Sequence, residues 1–185
     1  EETKKYYLKA SKELRKRAPQ LLQTVHVKGR LDVIPHEIVE LIDFYMYQSG
    51  HNAQNPAIPY LLAEKFYHQY PAKPVINAEP CYEQMGYSRN MYGRFYQFDV
   101  RRAAWMSILS GACAGIAYGA HGVYSWHKVG KSFGKLLGEG FDRPNPWNDA
   151  VKYPGAWDYG YIKYLFEIYG IDELKPIDRI LNNTK

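Results

Sequence analysis

The sequence predicts an α/β fold in which short buried strands alternate with amphipathic helices. Segments of strand length are apolar and end at Gly or Pro, whereas longer segments carry apolar residues at helical spacing. Alternation of this kind is typical of parallel strands joined by right-handed crossover helices. Polar side chains recur at the predicted strand ends, and no glycine-rich phosphate loop occurs in the sequence. These observations favour a (β/α)8 barrel over an open, nucleotide-binding sheet.

The predicted elements follow the chain in the order helix, strand, loop, strand, helix, strand, helix, strand, helix. The strands are predicted at 21–27, 41–48, 74–79 and 115–126. The helices are predicted at about 2–18, 55–70, 99–112 and 157–168. Asp99 is the expected N-cap of the third helix, and Gly170 is the expected end of the last one. A closed barrel needs eight strands and about 250 residues, so the sequence predicts half of one.

The composition is that of an ordinary folded chain with many aromatic rings. Its 185 residues are 46% hydrophobic and 23% charged, which fits one domain or part of one. The basic residues behind the net charge of +5 crowd the first 17 positions, where they are interpreted as the solvated face of a helix. No nucleic-acid partner is therefore expected. The 18 Tyr and 4 Trp exceed what a core alone tends to use, and sugar-binding clefts use such rings as platforms.

One acidic residue, Glu79, stands at the end of the most strand-like segment. Pro74 and Pro80 bracket the apolar run that precedes and includes it, and so limit the strand on both sides. In barrels of parallel strands the C-terminal strand ends carry the chemistry, because the loops converge there. The other candidate site residues near predicted strand ends are His26, Gln48, His51, Tyr82, Tyr118, His121 and Trp126.

Three segments, in this order, resemble the family of apiosidase-like glycoside hydrolases. They are 43–51, which reads DFYMYQSGH, 73–82, which reads KPVINAEPCY, and 100–126, which opens with VRRAAW and closes with YGAHGVYSW. The resemblance extends over most of residues 20–175. In bacterial genomes such chains often precede a domain described as collagen-binding. The family is similar to the retaining glycosidases that are built on the (β/α)8 barrel.

This resemblance implies that residues 1–185 are the C-terminal half of a single catalytic barrel, with strands five to eight. The N-terminal half of the barrel is then its partner, and an oligosaccharide or polysaccharide is its substrate. Glu79 corresponds to the nucleophile at the end of strand seven, whereas the acid/base carboxylate at the end of strand four would lie before Glu1. The resemblance also implies a secreted or periplasmic protein.

The chemistry of sugar binding predicts roles for the remaining candidate residues of such a site. Hydrogen bonds to Glu79 or to sugar hydroxyls are expected from Tyr82, Tyr118 and His121. Trp126 is expected to stack on a sugar face. The positions of the sugar hydroxyls are expected to be read by His26, Gln48 and His51.

Other functions stay open at this point. One is a non-catalytic carbohydrate-binding or scaffold protein, and another is an inactive truncated fragment. A thiol nucleophile at Cys81, with His51 or His121 as its base, is a weaker alternative because no local signature surrounds the cysteine. No cofactor and no metal are expected, since no metal-binding spacing of His or Cys occurs. No segment is apolar enough over sufficient length to predict a membrane span.

Overall fold

A computed structural model describes residues 2–88, 92–133, 142–170, 173 and 175–177 of the chain. The helices in these residues are α1 (Glu2–Arg17), α2 (His36–Val39), α3 (Ile58–Tyr67), α4 (Gln97–Leu109), α5 (Trp147–Ala150) and α6 (Gly155–Tyr169). The strands are β1 (Tyr45–Tyr47), β2 (Val75–Asn77) and β3 (Gly115–Ile116). Within the predicted long loop 128–155, residues 134–141 lie outside the described part.

The described strands form one parallel sheet in the order β1-β2-β3, with β2 in the centre. Tyr47 pairs with Asn77, and Asn77 pairs in turn with Ile116. The helix α3 connects β1 to β2, and α4 connects β2 to β3. The predicted alternation of helices with parallel strands is therefore confirmed. All three strands run in the same direction, so their C-terminal ends meet at one edge of the sheet.

Aromatic side chains fix α3 against the sheet. The ring of Phe66 lies 5.7 Å from the ring of Tyr45 and 5.8 Å from that of Tyr47, measured between centroids. All three side chains are fully buried. The two tyrosine hydroxyls donate hydrogen bonds to the carbonyl oxygens of Pro71 and Pro59, so neither buried O–H lacks an acceptor. This packing holds β1 and β2 firmly under the edge where polar side chains gather.

The prediction of a first strand at 21–27 is wrong. Residues 22–28 have no regular secondary structure, although they run beside the start of β1. The backbone N–H of Asp43 donates to the carbonyl oxygen of Gln23, and the hydroxyl of Thr24 donates to the carbonyl oxygen of Phe44. One of these bonds comes from a side chain, so the segment is attached to its neighbour without forming a ladder of backbone pairs.

Two other predictions change in extent rather than in kind. The predicted strand at 115–126 reduces to β3, because the chain turns through 121–126, where Gly122 has a φ of 120°. The helix α4 begins at Gln97, so Asp99 is not its N-cap as predicted. Tyr96 takes that position, and the carboxylate of Asp99 accepts a hydrogen bond of 2.9 Å from the backbone N–H of Tyr96. Gly170 ends α6 with a φ of 59°, as predicted.

Candidate active site

The carboxylate of Glu79 lies two residues beyond the end of β2 and is held by three side chains. Gln48 Nε2 donates a hydrogen bond of 2.5 Å to Glu79 Oε1, and His51 Nε2 lies 2.9 Å from the same oxygen. His26 Nε2 lies 3.2 Å from Oε2. Gln48 and His51 follow β1, and His26 belongs to the segment beside it. The structure thus brings together four of the residues that the sequence places at strand ends.

The surroundings of Glu79 favour its charged form. Burial opposes ionisation, but the hydrogen bond from His51 and the positive charges of His51 and His26 outweigh it and hold the pKa below its ordinary value of 4.5. The side chain remains 23% exposed, so one part of the carboxylate faces open space. Glu79 is therefore an anion at neutral pH that has access to a ligand.

A cavity of about 780 Å³ opens over this carboxylate. Its volume lies within the usual range of small-molecule sites. Lys28 and Arg30 are cationic side chains of its lining, and Asp142 is a second acidic residue there among those the structure describes. Hydroxyl and amide groups from Ser88, Ser125 and Asn52 also line it, beside a somewhat larger area of apolar atoms. A mixed lining of this kind suits a ligand that has both hydroxyl groups and apolar C–H faces.

The rings of Tyr82, His121 and Tyr124 form a wall of the cavity. The ring of Tyr82 meets the ring of His51 edge-on at 4.6 Å, and His121 stacks on Tyr124 at 5.9 Å. Burial lowers the pKa of His121 to about 4, so its imidazole is neutral at neutral pH. Burial, together with the negative charge of Glu79, raises the pKa of Tyr82 to about 12. Both groups are hydrogen-bonding partners without charge.

The position of Tyr82 is fixed from behind by a glycine. The ring packs directly on the backbone of Gly119, where a Cβ atom would overlap the ring carbons. Gly119 follows β3, so the loop after this strand sets how far the Tyr82 ring extends into the cavity. A residue that does not line the cavity thus controls its width.

Comparison with known proteins identifies the family of the chain. Residues 1–172 match the family described as "Apiosidase-like, catalytic domain". The chain belongs to the apiosidase-like family. The resemblance noted in the three sequence segments is thereby confirmed. Among curated proteins, none matches the chain closely enough to count as a relative.

Two solved structures resemble the apiosidase-like chain. One, named "Glycoside hydrolase", is 25% identical, covers 85% of this chain and gives a TM-score of 0.69. The other, a glycoside hydrolase family 5 protein from Bacteroides vulgatus, is 27% identical, covers 84% of this chain and gives a TM-score of 0.72. The apiosidase-like chain spans only 38% and 35% of the length of these two proteins. The parallel sheet and these neighbours are consistent with a TIM-barrel-type fold.

Three candidate residues of the apiosidase-like chain lie outside the cavity lining: His26, which contacts Glu79, and also Tyr118 and Trp126. Tyr118 points its hydroxyl at the carboxylate of Glu83, to which it donates a hydrogen bond of 2.6 Å. The ring of Trp126 stacks on the ring of Trp147 at the protein surface. Neither Tyr118 nor Trp126 contacts Glu79 in the described structure, and the contacts expected between these residues and a sugar stay predictions.

Glu83 is the residue that sequence reasoning missed. It is 1% exposed, and its Oε2 accepts hydrogen bonds from the Tyr118 hydroxyl and, at 2.9 Å, from the backbone N–H of Gly155. Burial raises its pKa, with a smaller contribution from Asp158, although its two hydrogen bonds act in the opposite direction. Glu83 therefore ties the loop after β2 to the residues after β3 and to the start of α6. No local sequence signal distinguishes it from a surface glutamate.

The structure does not favour the thiol alternative. Cys81 packs in a hydrophobic cluster with Phe95 and Val100 and does not line the cavity. Burial raises the pKa of its thiol to about 12, which keeps it protonated and a poor nucleophile. In the described residues no group of three or more His, Cys, Asp or Glu side chains is placed to hold a metal ion. None of the described helices combines the length and apolar character needed to span a bilayer.

We expect replacement of His51 with alanine to raise the pKa of Glu79. The variant loses a hydrogen bond and a neighbouring charge, whereas the burial that opposes ionisation persists. His26→Ala loses only a charge and should produce a smaller increase. His36→Ala, at an exposed position of α2, serves as the control and should produce none. A pH titration of the Glu79 carboxyl carbon by NMR measures all three values.

The lowered pKa of Glu79 also predicts the pH range in which this carboxylate stabilises the fold. Because the folded-state pKa of Glu79 is lowered, its contribution to stability is present above pH 4.5 and is lost as the pH falls through the folded-state value. In His51→Ala this contribution should be smaller, because the folded-state pKa then lies closer to the unfolded value. An unchanged Glu79 pKa in His51→Ala, or a larger change in His26→Ala, would contradict the assignment.

Proposed function

We propose that the chain forms part of the catalytic barrel of a glycoside hydrolase in which Glu79 is the nucleophile of a retaining reaction. The observation that carries this proposal is an ionised carboxylate, held from two strand ends and exposed to a cavity of about 780 Å³ that has polar and apolar walls. Membership of the apiosidase-like family supports it. The likeness to two glycoside hydrolase structures supports it as well.

The chemistry of glycoside hydrolysis explains why this carboxylate would be needed. The transition state resembles an oxocarbenium ion, so a negative charge beneath the anomeric carbon stabilises it. In a retaining enzyme, one Glu79 oxygen attacks that carbon as the bond to the leaving oxygen breaks. The resulting glycosyl ester is then hydrolysed by water, which restores the carboxylate. Two inversions at the same carbon retain its configuration.

Gln48, His51 and His26 serve this step by holding the carboxylate. Their hydrogen bonds and charges keep Glu79 ionised and fix the direction of its free oxygen lone pairs. This task on the nucleophile adds to the reading of sugar hydroxyls expected from the sequence, which stays a prediction. The hydroxyls of the sugar also face the neutral wall of Tyr82, His121 and Tyr124.

We place the proton donor of this reaction outside the described residues. The carboxylates that line the cavity in the described part of the chain are Glu79 and Asp142. A hydrogen bond from the backbone N–H of Arg143, and then the charge of Arg94, hold the pKa of Asp142 below its ordinary value. A general acid needs a raised pKa, so neither carboxylate is suited to the role. We assign it to the end of strand four, in a half-barrel that precedes this one, about 5–5.5 Å from Glu79.

The stereochemistry of the product tests this proposal. The full-length natural protein is incubated with arabinoxylan, pectin and galactan in heavy water, and the first-formed anomer is followed by proton NMR. Release of a sugar with the configuration of the substrate bond is the expected result. Release of the opposite anomer would contradict a nucleophilic Glu79, because inverting enzymes use a water molecule in its place.

A second candidate function is a non-catalytic carbohydrate-binding protein. The observation that favours it is the lowered pKa of both Glu79 and Asp142, which leaves the described cavity lining without a proton donor. Binding of these glycans without release of any sugar, in the same NMR experiment, would favour this function over hydrolysis.

A further inference from the structure

We propose that Trp126 and Trp147 form an outer sugar-binding platform beside the cavity. The open face of the Trp126 ring would take the apolar face of a sugar unit that continues from the unit in the cavity. This inference rests on the proposed function, because it requires a glycan as the ligand. It adds a binding position outside the cavity and a preference for longer glycans.

The two rings are stacked in parallel at the surface. Their centroids lie 4.4 Å apart and their planes differ by 6°. Trp147 covers one face of the Trp126 ring, yet Trp126 as a whole remains 56% exposed. Its second face and its edges are therefore open to solvent. A sugar ring presents a face of C–H groups with hydroxyls at its rim, which matches a flat apolar surface of this size.

The platform is held in place from below. The turn that contains Trp126 approaches the segment before α5 so closely that a Cβ atom at Gly122 would collide with the carbonyl oxygen of Asn145. The backbone N–H of Trp147 donates a hydrogen bond of 2.8 Å to the carbonyl oxygen of His127, which is itself buried. These contacts fix the position of both rings before a ligand arrives, which reduces the entropy lost on binding.

The backbone of Trp126 also departs from the common conformations. Its φ of 50° lies in the left-handed region, which is uncommon for a bulky residue. Conformations of this kind persist where the surrounding structure enforces them, and they are concentrated at functional sites. Here the conformation accompanies a large apolar ring that faces solvent instead of the core.

Continuity with the cavity identifies the ligand. Ser125 and His127, the two sequence neighbours of Trp126, both line the cavity over Glu79, and so does Tyr124. The platform therefore begins where the cavity lining ends. A glycan with one unit in the cavity reaches it by continuing along the same loop. A single exposed ring pair is also too small for a stable protein interface, which requires about 800 Å² from each partner.

Isothermal titration calorimetry tests the platform in the full-length protein carrying Glu79→Gln, so that ligands bind without being cleaved. The probes are xylo-, arabino- and galacto-oligosaccharides of two to six units. The added variant Trp126→Ala should weaken binding of the longest oligosaccharides about tenfold and leave the disaccharides unchanged. Tyr70→Ala is the control, because Tyr70 is an exposed ring at the opposite end of β2 from Glu79. Tyr70→Ala should change neither the affinity for the longest oligosaccharides nor the affinity for the disaccharides.

A second variant tests whether the loss of affinity comes from the platform or from a disturbed fold. Trp147→Leu leaves the Trp126 ring present but removes its stacked support, so a smaller loss for the long oligosaccharides is expected. An equal loss at every length, no loss with the longest ones, or no binding by any of the proteins would overturn the platform. Hydrolysis that persists in Glu79→Gln would overturn the proposed function alone, because the length dependence of binding does not require catalysis.

Discussion

Glu79→Gln is expected to lower kcat of the full-length protein by at least about a thousandfold. The amide cannot form the glycosyl ester, and it carries no negative charge to stabilise the oxocarbenium-like transition state. The fold should be unaffected, because the amide oxygen can still accept hydrogen bonds from Gln48 and His51. The amide nitrogen would face His26, whose ring nitrogen accepts a hydrogen bond in one neutral tautomer.

Steady-state kinetics on a polysaccharide that the natural protein cleaves give the value of kcat, and a thermal melt checks the fold. Glu40→Gln makes the same chemical change at an exposed position of the described chain, and its kcat should match that of the natural protein. Addition of azide to Glu79→Ala should produce a glycosyl azide of inverted configuration, since the anion then attacks from the vacated side. A kcat for Glu79→Gln within about tenfold of the natural value would refute the nucleophile assignment.

Glu83→Ala is expected to lower the free energy of unfolding by about 2–4 kcal/mol. The substitution leaves the Tyr118 hydroxyl and the Gly155 N–H without their acceptor in a buried place. It also opens a void between the loop after β2 and the start of α6. Removal of the carboxylate offsets part of this loss of stability, because the variant no longer buries a group whose ionisation is opposed by burial. Chemical denaturation monitored by circular dichroism measures the difference.

Glu83→Gln is the matched variant, because its amide oxygen can replace the acceptor without a charge. We expect it to retain most of the stability that Glu83→Ala loses. It should also change the pH dependence. The folded-state pKa of Glu83 is raised, so its contribution to stability is complete below pH 4.5 and is lost as the pH rises through the folded-state value. Glu83→Gln should lack this loss, and an identical pH dependence in both proteins would contradict the buried carboxylate.

Local patterns were sufficient to predict the four longer helices and the central strand, but not the short helices α2 and α5. The apolar residues of α3 and α6 recur at helical spacing, and Gly170 has the left-handed conformation that ends a helix. The strand before Glu79 was predicted from its own residues and its flanking prolines. Because parallel strands share one direction, their C-terminal residues were predicted to lie together, and His26, Gln48 and His51 do lie around Glu79. Their roles remain predictions.

The remaining features depend on contacts between distant parts of the chain. The segment 22–28 has the apolar character of a strand, but Leu21 and Leu22 are exposed and its hydrogen bonds are made with residues that precede β1. Trp126 was predicted at a strand end, yet its position depends on a turn that packs against α5, some twenty residues later. Glu83 owes its burial to Tyr118 and Gly155, and no pattern of residue types records such an arrangement.

The contact between Gly119 and Tyr82 links the size of the cavity to a position outside its lining. A larger residue at position 119 would displace the Tyr82 ring, which lines the cavity and meets the ring of His51 edge-on. Selection, in nature or in the laboratory, can therefore adjust which ligands enter by acting on a position that never meets them. Position 119 is a place to begin when the substrate range of this chain is to be redesigned.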